Sequence, residues 1–570
     1  MKKLFDNIIL NNLKFLYGED KANITYNKLC QLLESFSKQY LSSTRKEFFS
    51  HRDNIFITYG DMIKNNIRPL KALNIFSEKY LKNAFNTIHI LPFFEYDSDR
   101  GFSIINYKKI DLKQGNWSDI TELKKRHKLI FDLILNHVSD KHIWFQEFLK
   151  NNPKYENYFI WFTKDNLPSK KEIEKVFRPR INPLLKKYNT SKNEKYVWTT
   201  FPLNQVDLNY RNEQVLIEII DVMLYYILKG ADIIRLDAVA YIWKQLGTNC
   251  LHLKPAHIIV QLLRAILDKV APNVLIITET NVPHEENIQY FGDGRNEAQL
   301  VYNFALPPLV LFCLYTGNSK KISKWADKIS DISKNTTFLN FLDSHDGIGL
   351  LGVKNILTEN DIQIILEKCS NNGGLISYKI NKDGTETPYE INITWWNALN
   401  PASSIDNLDI QIRRYLVSRS ILLCLKGVPG TYFNGLIGAS NDLEAAKLSG
   451  NNRDINRRNL KLNEIEDQLC NPKSRLSKVF YGYNNLLQNR IREKAFHPNS
   501  IQEILFLNEH VFALKRTVDH NSSIIALQNL TKDKQSLILE NNLYYDIISH
   551  RKYDYEILMD PYQILWLKIQ

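Results

Sequence analysis

Cysteine is scarce in this chain: six in 570 residues, at Cys30, Cys250, Cys313, Cys369, Cys424 and Cys470, none in CxxC spacing and several in apolar surroundings. That scatter excludes a disulfide framework or a thiolate metal knuckle and suits buried thiols in a reducing setting, so a cytoplasmic location is expected. Long apolar runs are also missing. None approaches the length of a bilayer span, and the N-terminal MKKLFDNIILNNL is interrupted by Asp6, Asn7, Asn11 and Asn12, so neither a membrane segment nor a signal peptide is expected. Nor is there a basic block interleaved with aromatics. The net charge of +12 comes from dispersed lysines, which reads as a solvated surface and not as a nucleic-acid interface.

What is present is the material of a large globular protein. Apolar residues make up 44% and charged residues 24%, enough for one big core with satellite domains. Residues 1–50 show helical spacing, with Ile9, Leu10, Leu13 and Leu16 followed by Leu29, Leu32, Leu33 and Phe36. Then a rhythm of short apolar runs, each followed by a helical pattern, begins: Asn54–Thr58, Thr87–Leu91, Leu129–Leu135, Asp232–Leu236, Val274–Thr278, Leu300–Phe304, Phe338–Leu342 and Gly430–Phe433. Eight such units predict an α/β fold, a parallel (β/α)8 TIM barrel over 51–138, 206–346 and 410–499. The connections at 139–205 and 347–409 are too long for plain loops and are expected as insertions over the catalytic mouth. From 500 to 570 the runs Leu505–Leu507, Val511–Leu514 and Ser523–Gln528 alternate as strands do, which predicts a small antiparallel β domain.

In a barrel of this kind the chemistry sits at the C-terminal ends of the strands. There the third run ends in Asp132, Asn136 and His137, the fourth in Arg235 and Asp237, the fifth in Glu279 and the seventh in His345 and Asp346. Taken alone, an Arg and an Asp two apart in GADIIRLDAVA are more often a structural ion pair than a catalytic one. Three carboxylates converging from different strands change that reading. They are what retaining glycoside chemistry requires: a nucleophile, an acid/base and a third group that stabilises the oxocarbenium-like transition state. Arg235 beside Asp237 predicts an ionised nucleophile, whereas Glu279 after the apolar VLIIT run predicts a protonated acid, the two carboxyls roughly 5–5.5 Å apart.

The segments DLILNH, IIRLDAVAY, ITET and LDSHD, in this order, resemble the four signature regions of the α-amylase superfamily, glycoside hydrolase family 13. The LPFF stretch with its acidic loop and GF, the RPR loop and NRDINRR look like the sucrose phosphorylase group within it, over roughly residues 50 to 500. The resemblance implies Asp237 as nucleophile, Glu279 as general acid/base and Asp346 as transition-state stabiliser. It implies Arg235, His137 and His345 as sugar-binding partners, Asp99 and Arg457 as the pair closing a pocket around one glucosyl ring, and Phe102 as the aromatic platform. Arg178 and Arg180 match the RPR loop and would bind phosphate, with Tyr241 and Tyr389 lining the same side. Asn136, a possible calcium ligand in amylases, is read as a scaffold residue, and neither a metal nor a cofactor is implied.

Thr280 and Asn281 stand where sucrose phosphorylases have Val-His, and Glu390 where they have Gln. ETNVPH and YEINIT look more like the branch holding glucosylglycerate and sucrose 6-phosphate phosphorylases, and Pro388 offers no additional cation for a phosphorylated fructose. The expected partners are therefore an α-glucoside, with 2-O-α-glucosylglycerate ranked first and sucrose or sucrose 6-phosphate next, and inorganic phosphate, in a monomer or homodimer. A hydrolase or amylosucrase-like transglucosidase on the same framework is the alternative. A catalytically inactive barrel scaffold is disfavoured by the presence of all three carboxylates.

Overall fold

The structure, a computed structural model, describes residues 2–41, 47–179, 182–329, 333–381, 385–519 and 522–570. Its centre is a closed barrel of eight parallel strands: β1 (Ile55–Thr58), β2 (Thr87–Ile90), β3 (Lys128–Ile134), β4 (Ala231–Asp237), β5 (Leu275–Thr278), β6 (Leu300–Tyr302), β7 (Thr337–Asn340) and β8 (Val428–Tyr432). Each pairs with its neighbours in chain order, and β1 closes the ring on β8. All eight expected runs coincide with these strands to within two residues. They form strands because β-branched and aliphatic residues occupy both faces. In β1 and β5 every position is buried, one face inside the barrel and the other under helices, as parallel strands need.

The helices cover the outside through apolar stripes. Lys254–Val270 starts with proline in its first turn and buries Ala256, Ile259, Val260, Leu263 and Leu267, spacings of three and four that define one face. Each large aliphatic side chain so buried contributes ~1.5–3 kcal/mol. The N-terminal helical pattern is two helices, α1 (Lys2–Tyr17) and α2 (Glu19–Gln39), broken at Gly18, whose φ of 79° suits glycine. α1 packs on Lys254–Val270 and α2 on Glu213–Leu228, so this segment is an extra layer on the barrel wall.

Between β3 and β4 lies a small three-stranded antiparallel sheet (Trp161–Phe162, Glu194–Trp198, Leu185–Asn189). Between β7 and β8 lies another, Ile348–Gly349, Glu386–Asn392 and Leu375–Ile380, beside the helix Glu359–Asn371. The C-terminal region forms a six-stranded antiparallel sheet in the order Ile501–Ile504, Val511–Asp519, Ser522–Asn529, Ile564–Ile569, Tyr544–Asp546, Lys552–Tyr553. Leu505–Leu507, expected as a strand, falls instead in the turn that follows Ile501–Ile504, and Phe506 is exposed there. The sheet is bolted to the barrel through polar contacts: Arg516 donates to the Cys424 carbonyl at 2.9 Å and the Trp566 indole to Ser420 Oγ at 3.1 Å. Among the described residues no helix is long and apolar enough to cross a membrane.

Candidate active site

Register places the first charges. Arg235 on β4 lies opposite Asp132 on β3, and both side chains turn into the barrel. The Arg235 guanidinium pairs with Asp132 and donates to Asp237 Oδ1 at 2.9 Å, while its Nη2 lies 3.8 Å from Glu279 Oε2. One cation therefore serves three carboxylates. Asp132 takes the larger share: burial pushes its carboxyl up, but Arg235 and His89, whose Nε2 is 2.8 Å away, outweigh burial and hold it below the ordinary value.

Asp237 and Glu279 receive less. Burial pushes Asp237 well up despite Arg235, helped by the charges of Glu279, Asp132 and Asp346; burial likewise raises Glu279. Arg235 does contact Asp237, as expected, but it does not serve Asp237 alone, because the same guanidinium is also engaged by Asp132. Both carboxyls are thereby biased toward the protonated form. The residue after Asp237, Ala238, has φ 48° and ψ 35°, a left-handed conformation unusual for alanine, and its amide donates to Glu279 Oε2 at 3.3 Å.

Asp346, in the loop that follows β7, faces His345 Nε2 at 3.4 Å and pairs with Arg453. His345 stacks on Phe102 with ring centroids 5.0 Å apart and planes 4° from parallel. Burial, reinforced by Arg235 and Arg457, pushes the imidazole far below its ordinary value, so His345 is neutral. Its Nδ1 has no hydrogen-bond partner among the described residues.

Asp99 is presented by a sharp turn. Asp99, Arg100 and Gly101 all have positive φ, and a side chain at Gly101 would meet the Pro92 carbonyl at 2.3 Å. Arg100 ties this turn to the loop of Arg457 by donating to the Arg457 carbonyl at 3.0 Å and to Asp61 at 2.9 Å. Arg457 lies 3.8 Å from both Asp99 and Asp346 and donates to the His345 carbonyl at 2.8 Å. Gln205 donates to Asp99 at 3.3 Å.

These side chains wall a cavity of about 720 Å³, mouth included, lined by Asp99, Phe102, His137, Asp237, Tyr241, Glu279, His345, Asp346 and Tyr389 among others. Nine of the expected site residues therefore share one wall, and Arg235 and Arg457 stand directly behind it. The ring nitrogens of His137 already have protein partners, the Phe102 carbonyl at 3.1 Å and Asn136 Nδ2 at 3.2 Å, so a sugar hydroxyl would have to share them. Arg178 is half-buried but does not line the cavity, although Pro179 does. Arg180 lies outside the described residues.

Asn136 belongs to a separate cluster. Lys244 Nζ donates to Asn136 Oδ1 at 2.6 Å and pairs with Asp207 at 2.7 Å, so an ammonium takes the oxygens a divalent cation would need and the donor set does not fit calcium. Sequence reasoning missed Gln205, Phe201 and Arg453, all of which line the cavity. The signal for Arg453 was available: it lies four residues before Arg457, and the turn Asn452–Asn456 places both on the site.

Known proteins fit this geometry. Residues 77–369 match the α-amylase catalytic-domain family. A glucosylglycerate phosphorylase of Spirochaeta thermophila is 39% identical over 97% of each chain, and one of Escherichia coli K12 is 37% identical over 98% of this chain and 99% of its own. The crystal structure of a sucrose 6F-phosphate phosphorylase from Thermoanaerobacter thermosaccharolyticum superposes with a TM-score of 0.75 at 28% identity, covering 91% of this chain and 100% of that one. With a family match over half its length and relatives of this identity from end to end, the chain belongs to the α-amylase family, in the branch of its phosphorylases.

Proposed function

We propose that this enzyme is a retaining phosphorylase that converts 2-O-α-glucosylglycerate and phosphate into α-glucose 1-phosphate and glycerate. The observation that carries the chemistry is the unequal sharing of one guanidinium by Asp237, at 2.9 Å, and Glu279, at 3.8 Å. The direct 2.9 Å contact from Arg235 favours charge on Asp237, and the more distant Glu279 keeps the proton. Asp237 then attacks the anomeric carbon while Glu279 protonates the departing glycosidic oxygen, giving a glucosyl ester. Phosphate attacks that ester from the vacated side, the Asp237 carboxylate leaves, and Glu279 takes the phosphate proton. Asp346 and the neutral His345 hold ring hydroxyls, and the Asp346 carboxylate opposes the positive charge that develops at the anomeric centre.

The acceptor assignment rests on the relatives that match along their whole length, which are named for glucosylglycerate. The segments 139–205 and 347–409 frame the acceptor side, since Phe201, Tyr389 and Glu390 come from them. Arg178 and Arg180 belong to the loop whose Pro179 reaches the cavity, and we assign that loop to phosphate capture. Cytoplasmic residence suits free thiols and a phosphate co-substrate.

The test is incubation of the purified enzyme with 2-O-α-glucosylglycerate, with and without phosphate. Expected is phosphate-dependent release of glucose 1-phosphate with the α configuration. Release of free glucose at the same rate without phosphate would make it a hydrolase.

A further inference from the structure

Of the residues that line the catalytic cavity, Arg453 carries the one permanent positive charge among those described. It is anchored from behind. Its Nε and Nη2 donate to the two oxygens of Glu390 at 2.9 and 2.7 Å, a bidentate fork, and Glu390 is itself fixed by the Gly347 amide at 3.1 Å. The remaining nitrogen, Nη1, reaches forward to Asp346. Glu390 is almost wholly buried, and both of its carboxylate oxygens are engaged by Arg453. The same arginine also lines an adjoining outer cavity with Tyr378, Asn451 and Asn452, so it stands where the catalytic chamber meets the approach from solvent.

We propose that Arg453, held in place by Glu390, is the residue that selects an anionic acceptor. Once a glucosyl ring engages Asp346 through its hydroxyls, the Nη1 edge is released from that carboxylate while the Glu390 fork keeps the guanidinium at the chamber wall. It then offers a charged donor to the acceptor carboxylate in one half-reaction and to phosphate in the other. The two anions take the acceptor side in turn, so the same cation meets each of them, in addition to the part assigned to the RPR loop in phosphate capture. This rests on the proposed phosphorylase reaction and adds the acceptor's recognition to it.

The test compares Arg453→Gln and Arg453→Lys with the unmodified enzyme in the synthetic direction, with α-glucose 1-phosphate as donor and D-glycerate or the uncharged glycerol as acceptor. For Arg453→Gln the expected result is a KM for glycerate raised at least about tenfold, with the KM for glycerol changed less than about twofold. Arg453→Lys, which keeps the charge without the fork, recovers part of the glycerate affinity. Equal losses with both acceptors in both variants would overturn the proposal and reduce Arg453 to a support for Asp346. Should the unmodified enzyme not use glycerate, the substrate reading fails by itself. The arginine is then judged on the KM for phosphate with whichever glucoside supports phosphorolysis: a rise of about tenfold in Arg453→Gln sustains it and an unchanged value overturns it.

Discussion

Asp207 and Asp237 are both buried at the mouth of the barrel, and their surroundings are opposite. Asp207 is saturated: it accepts from the Thr200 amide at 3.0 Å, the Thr200 hydroxyl at 2.5 Å and Asn136 Nδ2 at 3.3 Å, and Lys244 lies 2.7 Å away. Asp237 shares one guanidinium with two other carboxylates and opens onto a cavity. Within LDSHD the two aspartates differ in exposure to the cavity: Asp343 is gripped by Arg419 at 2.8 and 3.2 Å, while Asp346, three residues on, pairs with Arg453 and lines the cavity. A carboxylate whose lone pairs are all filled holds the fold. One that is left short of partners stores free energy that a substrate can release.

The sharpest way to break this comparison is to neutralise both aspartates. Asp237→Asn should lower glucose 1-phosphate release by about 10⁴-fold or more, since it removes the proposed nucleophile, while the melting temperature stays level or rises. Asp207→Asn should do the reverse. It leaves the buried Lys244 ammonium without its carboxylate, a loss of about 3–5 kcal/mol, while activity per folded molecule changes little. Initial rates and thermal melts on the same preparations decide it, and an Asp207→Asn protein as stable as the unmodified one would erase the distinction.

Glu279→Gln comes next, at about 10²- to 10⁴-fold for natural glucosides, because their leaving oxygen needs a proton. α-Glucosyl fluoride, whose leaving group needs none, should recover most of the first step. A variant equally impaired with both donors would place the acid elsewhere.

The pH dependence follows from the same pair. Burial raises both folded-state values, so the folded protein keeps a proton that the unfolded chain, with carboxyls near ~4, has released. The stability this contributes is full below the unfolded value and is lost as pH rises through the folded one. Activity should fall over the same interval as Glu279 loses its proton. Melting temperatures measured from pH 4 upward should show a decline that Glu279→Gln flattens, and parallel curves would detach the pair from stability.

Much of this was legible in the chain. Strand positions were readable because parallel strands buried on both faces are continuous apolar runs, and the reactive groups because they sit where those runs stop. What could not be read is how charge is divided. Arg235 adjoins Asp237 in the sequence, yet its closest partner is Asp132, about a hundred residues earlier, brought opposite by register alone. The pairing of Glu390 with Arg453 joins an insertion to a late loop in the same way. Local spacing shows which side chains share a face, and only closure of the barrel shows which of them compete for one partner.

The smallest expected effect probes the intermediate case. Asp99 is neither saturated nor starved, with Gln205 at 3.3 Å and Arg457 at 3.8 Å, and it depends on its turn to face the cavity. Gly101 makes that turn possible: its φ is +108°, and an added Cβ would meet the Pro92 carbonyl at 2.3 Å and Pro92 Cβ at 2.7 Å. Since Arg100, the preceding residue, is anchored by its own guanidinium to Asp61 and the Arg457 carbonyl, the strain of Gly101→Ala is passed on to Asp99 and Phe102 instead of being absorbed in a free loop. The expected cost is about 1–3 kcal/mol of stability, with KM for the glucoside raised about tenfold and kcat changed less. If Gly101→Ala lowers stability but leaves KM untouched, Asp99 is held by Gln205 and Arg457 without help from the turn, and it belongs with Asp207 among the pinned carboxylates.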